Sequence, residues 1–164
     1  MDSTTSDPKP LPRPVPGNIA HMLAFGLGAG CSPKAPGTMG TLLAVAIYLP
    51  LSQLPLAAYA LVLTVLILFG IWLCDKAARD LGVHDHPGIV WDEIAGFLLT
   101  MLGAPAGWQW IVVGFVLFRL FDIWKPWPIG WLDRRVGGGL GIMLDDLVAA
   151  IFAACCLQGL ALWL

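Results

Sequence analysis

Charge is distributed unevenly along this chain. Residues 35–74, 94–118 and 147–164 contain no Asp, Glu, Lys or Arg. The charges fall in three blocks between these apolar runs. The first holds Asp2, Asp7, Lys9, Arg13 and Lys34; the second holds Asp75, Lys76, Arg79, Asp80, Asp85, Asp92 and Glu93. The third, residues 119–146 (RLFDIWKPWPIGWLDRRVGGGLGIMLDD), carries eight charges in one stretch. Apolar runs of this length, separated by charged blocks, are the pattern of a polytopic helical membrane protein.

The runs predict elements. Residues 18–30 (NIAHMLAFGLGAG) are mildly apolar, Gly-rich and too short to span a bilayer, which takes ~20 residues; they predict a short interfacial or partly buried helix. Residues 32–40 (SPKAPGTMG) predict a loop by their Pro and Gly content. The next run carries Pro50, Ser52, Gln53 and Pro55 in its middle, so it predicts a helical hairpin, with helices near 38–49 and 56–73. Residues 94–118 admit one span, but the break at 103–107 (GAPAG) favours two helices, extended back to 88 and forward to 124. That extension puts Asp92, Glu93 and Asp122 in terminal turns on one side of the membrane. A last span covers residues 142–164. The fold expected is all-α: a polytopic membrane helical bundle of about four to five spans plus a short N-terminal interfacial helix. Lys9, Arg13, Lys34, Lys76 and Arg79 share one side, which the positive-inside tendency makes cytoplasmic. The tryptophans near predicted helix ends suit interface anchors.

Composition supports this reading. Of 164 residues 58% are hydrophobic and 12% charged, against roughly 25% charged in a soluble domain. Mean hydropathy is +0.79. The length suits one domain, taken as residues 18–164. Residues 1–17, with five prolines at alternate positions from Pro8, predict a disordered or polyproline tail rather than a signal peptide. No basic patch suits nucleic acid. Cys31, Cys74, Cys155 and Cys156 match no zinc or redox spacing and read as small hydrophobes.

Charge beside a membrane is costly unless used. Asp145 and Asp146 precede the last apolar run and follow VGGGLG. Helix capping explains one acid there; two invite a functional reading. Asp92 and Glu93 occupy the analogous place after His84-Asp85-His86-Pro87. Arg119 and Asp122, at i, i+3, share a helix face and can form a local ion pair. Lys125 sits in KPWP, which breaks a helix. If the clusters meet, Asp92, Glu93, Asp122, Asp145 and Asp146 supply hard oxygen ligands suited to Mg²⁺, which keeps waters and bridges to phosphate. Lys34, Arg119 and Lys125 can hold phosphate oxygens, and the two Gly-rich segments can offer backbone N–H groups. His84 and His86 are a general acid, a support to a metal site, or a solvated loop.

Three segments carry a resemblance: SPKAPGTMGTL at 32–42, GVHDHPGIVWDEIAG at 82–96, and FRLFDIWKPWPIGWLDRRVGGGLGIMLDDLVA at 118–149. Together, in this order, they resemble the phosphatidylglycerophosphatase A family, small Mg²⁺-dependent membrane phosphatases of bacteria. Thr41 stands where the family pattern has serine, a change that keeps the hydroxyl. The resemblance implies removal of the terminal phosphate of phosphatidylglycerophosphate, a membrane phospholipid, at the inner (cytoplasmic) membrane. On this reading of the residues, Asp92, Glu93, Asp122, Lys125 and Asp146 are the candidate catalytic residues, and Lys34, Thr38, Arg119 and Lys125 the candidates for holding the substrate phosphate. Either metal-assisted water attack or an aspartyl-phosphate route fits, and the absence of an Asp-x-Asp loop favours water. Cys31 lacks the arginine of a Cys-x₅-Arg phosphatase. A small ion-coupled transporter is the rival; its acids belong near the bilayer midplane, not at helix ends on one side.

Overall fold

The computed structural model describes residues 14–84 and 86–163, which form helices joined by short loops, without strands. Eight elements follow in order: α1 (Ile19–Ala24), a 3₁₀ segment (Gly26–Cys31), α2 (Pro36–Leu51), α3 (Leu56–Leu81), α4 (Trp91–Thr100), α5 (Trp108–Trp124), α6 (Ile129–Arg135) and α7 (Gly138–Trp163). Asn18 caps α1, its side chain accepting from the N–H groups of Ala20 and His21, and the helix lays Ala20, His21 and Ala24 against α3. The expected helix at 18–30 therefore breaks at Phe25 and continues as 3₁₀. Residues 1–13 of the expected tail, and Asp85, lie outside the described residues. The tail's last residues turn back: Val15 N–H donates to His21 Nδ1 at 3.0 Å.

The hairpin and the break at 103–107 are where the pattern put them. Several boundaries move. Helix α3 does not stop at residue 73 but carries its charges inside it, because they pair one turn apart: Lys76 Nζ lies 2.8 Å from Asp80 and Arg79 Nη2 2.6 Å from Asp75. It ends where the N–H groups of Gly82 and Val83 return to Arg79 and Ala78. Helix α7 begins at Gly138, four residues before the expected start, so VGGGLG is mostly helix rather than loop and the two aspartates sit in the third turn. Its entry is a close approach: a Cβ on Gly139 would strike the Ile71 carbonyl of α3. Gly139 N–H donates to Asp75 Oδ1. The 32–40 loop is likewise shorter than expected, since α2 starts at Pro36.

Helix α7 is the axis, packing on α3, α4, α5 and α6. Phe97 and Leu98 of α4 and Met101 just after it pack with Phe118 of α5 and Leu157 of α7 in one core, to which Tyr48 and Tyr59 of the hairpin add. Tyr59 Oη donates to the Leu98 carbonyl at 2.7 Å. Among the described residues α3 and α7 are the helices long and apolar enough to cross a membrane; only 22% of the apolar window of α3 is buried within the chain. A core helix of a soluble protein hides its apolar surface, whereas α3 exposes Leu61, Val65, Leu68 and Trp72. At 10 residues α4 is ~15 Å long, too short to span alone.

Candidate active site

The first turn of α4, the end of α5, helix α6 and the second and third turns of α7 meet around a cavity of about 120 Å³. Asp92 and Glu93 enter from α4, Asp122 and Lys125 from the end of α5, Asp133 from α6, and Asp145 and Asp146 from α7; His84 and His86 complete the wall. Consecutive helical residues point ~100° apart, and each α7 acid accordingly takes a different neighbour. Asp145 Oδ2 receives Lys125 Nζ at 2.6 Å. Asp146 faces α4, and Asp92, Glu93 and Asp146 offer oxygen atoms that all lie within 4.8 Å of one another.

Lys125 is placed by its backbone. It ends α5 in the left-handed region (φ 45°, ψ 54°), a conformation that costs a non-glycine residue roughly 1–2 kcal/mol. The turn aims its ammonium at Asp145 and, at 3.0 Å, at Asp133. Burial opposes this charge, but the hydrogen bonds and charges of Asp145 and Asp133 outweigh burial and hold the Lys125 pKa above its ordinary value. Arg119 stands at the edge of the cavity, paired with Asp122 and 3.9 Å from Glu93 Oε1. Its Nη1 carries the ion pair with Asp122, and its Nε is buried without a hydrogen-bond partner. Helix α2 closes in here: a Cβ on Gly37 would strike Glu93 Oε1.

Six carboxylates thus face two cations. Glu93 Oε2, Asp145 Oδ1 and Asp146 Oδ2 are buried and have no hydrogen-bond partner. An uncompensated buried carboxylate is costly. A hard divalent cation is the group that such an all-oxygen set accepts, so the residues fit Mg²⁺.

All five predicted acids, with Lys125, line the cavity, and Arg119 borders it. Lys34 and Thr38 do not line it: Lys34 is exposed before α2 and Thr38 is half-buried in its first turn. Arg119–Asp122 is indeed an ion pair. The histidines part ways, His84 exposed and His86 buried, tilted on Phe25 and accepting from Gly88 N–H at Nδ1. Sequence reasoning missed Asp133. Its signal was an acid eight residues past Lys125, across the KPWP break that folds the chain back on itself.

Long apolar helices around a polar, carboxylate-lined cavity make this a membrane-type helical enzyme. The family profile described as Phosphatidylglycerophosphatase A matches residues 22–161. A protein of Escherichia coli named phosphatidylglycerophosphatase A is 50% identical over 138 residues, covering 84% of this chain and 80% of that protein. One of Haemophilus influenzae with the same name is 41% identical over 149 residues, covering 90% and 91%. No solved structure matches the chain. The chain belongs to the phosphatidylglycerophosphatase A family, and it is a phosphatase.

Proposed function

We propose that the chain hydrolyses the terminal phosphomonoester of phosphatidylglycerophosphate to phosphatidylglycerol and phosphate, a step of glycerophospholipid synthesis, with Mg²⁺ held by Asp92, Glu93 and Asp146 and bordered by Asp122 and Asp145. The observation that carries the metal site is the triad of carboxylates whose oxygens lie within 4.8 Å, two of them orphaned and buried. The setting is a bacterial inner membrane crossed four to five times, with the cavity facing the cytoplasm. Helices α3 and α7 support the two longest crossings; α2 and the α4–α5 pair supply the rest.

The chemistry a bound Mg²⁺ supplies is charge neutralisation at the phosphoryl oxygens and activation of the attacking water. The chain's own residues do the remainder. Lys125, already charged and fixed between two carboxylates, offers positive charge where the transition state gathers negative charge. Arg119, beside Asp122 and Glu93 at the cavity edge, adds a second positive charge. As water oxygen bonds to phosphorus and the phosphorus–glycerol oxygen bond breaks, the glycerol oxygen takes up a proton. His84 and His86 line the cavity, and their imidazoles are the groups placed to deliver it. Acyl chains remain in the bilayer while the headgroup enters.

Phosphate release from phosphatidylglycerophosphate by detergent-purified protein tests this. Release with Mg²⁺ that stops in EDTA and returns with excess Mg²⁺ is expected. Release indifferent to EDTA would overturn the metal site; none in either condition would overturn the substrate.

A further inference from the structure

We propose that the outward face of α5 is a track for one acyl chain of the lipid substrate, with Arg119 as the gate between that track and the catalytic cavity. This rests on the lipid-phosphatase reading and adds to it where the lipid body lies. Phe115, Val116, Arg119, Leu120, Ile123 and Trp124, all on this one helix, line a shallow, open apolar groove. Val116, Leu120, Ile123 and Trp124 are all exposed, and their spacing places them along one helix face.

Three features distinguish this face from ordinary lipid-facing helix. It joins the site, because Arg119 lines the groove while pairing with Asp122 and Glu93 inside. It has the right depth: from Trp124 to Phe115 is ~14 Å of helix, about half of the ~30 Å hydrocarbon core and so one leaflet. Its polar end is marked by Trp124 and Trp127, exposed 70% and 81%, as aromatic residues at headgroup level are. Arg119 Nη1 is held by Asp122 while its buried Nε has no hydrogen-bond partner, so the guanidinium stands between the apolar face and the carboxylates as a donor for an anionic headgroup oxygen. A diacyl lipid carrying two phosphates is the occupant these neighbours fit.

The test compares the Val116→Trp and Leu120→Trp proteins with wild type on dioleoyl and dihexanoyl phosphatidylglycerophosphate in mixed micelles. Filling the groove should lower the dioleoyl-to-dihexanoyl ratio of kcat/KM on the order of tenfold, the effect of about two methylenes losing their burial. Leu61→Trp, on the exposed face of α3, should leave the ratio unchanged. Independently of turnover, a diazirine-bearing acyl chain should label residues 112–124 of wild type well above the exposed face of α3. An unchanged ratio with equal labelling of both faces means bulk lipid contact only and overturns the track. Failure of label to reach α5, with Trp variants that change oligomeric mass, means that a second copy of the chain covers the face, and also overturns it. Loss of phosphate release by wild type from both chain lengths, with α5 still labelled, would sink the catalytic reading while leaving the lipid track standing.

Discussion

Two charged regions abut apolar helix in this chain, and they are built on opposite terms. The end of α3 carries Asp75, Lys76, Arg79 and Asp80, which pair acid to base one turn apart and stay substantially solvated. The cavity gathers Asp92, Glu93, Asp122, Asp133, Asp145 and Asp146 around Lys125 and Arg119, with several carboxylate oxygens buried and unpartnered. Density of charge is similar; balance and burial are not. A neutral, wet ladder completes a helix, whereas a buried surplus of one sign is unstable without a ligand of the other. That contrast separates a helix end from a site.

The largest way to break the contrast is Asp146→Asn, which removes a carboxylate from the triad. Phosphate release with Mg²⁺ should fall on the order of a thousandfold, as expected where transition-state charge stabilisation is lost. The same variant in EDTA should melt a few degrees higher than wild type, an effect of about 1 kcal/mol, because a buried unpaired charge is gone. A melting point that drops in EDTA would assign Asp146 to structure.

Lys125→Met comes next. Activity should fall roughly a hundredfold if Lys125 meets the phosphoryl charge, and the protein should lose stability as Asp145 and Asp133 lose their partner. The pH sign follows from the raised pKa. The Lys125 contribution is fully present below the ordinary value of 10.5 and is lost as pH rises through the higher folded value. The stability gap between wild type and variant should therefore stay constant from pH 7 to about 10 and close above it. A gap that closes nearer neutrality would contradict the network.

The smallest effect belongs to the ladder. Arg79, 71% exposed, should tolerate replacement by Ala within about 0.5 kcal/mol, with phosphate release at the wild-type rate. A large loss of activity would place the end of α3 in the site and erase the contrast.

The amino-acid sequence by itself determined the apolar runs, and hence helices in nearly the observed places, because residues buried in core or lipid must be apolar whatever they touch. It also determined the breaks: Pro50 to Pro55 closes the hairpin, GAPAG parts α4 from α5, and KPWP ends α5. The cluster of acids with Lys125 and Arg119 was legible because charge at the edge of an apolar run is costly. Only the tertiary structure decided what these groups do to one another. The i, i+4 pairs let α3 run on through its charges, and the backbone approach of Gly139 to Ile71 starts α7 early enough to bury Asp145 and Asp146. Asp133 reached Lys125, and Lys34 and Thr38 stayed outside the cavity. Local pattern selects helix and break. Which faces meet depends on packing between residues distant in the chain, and burial and charge balance follow from that packing.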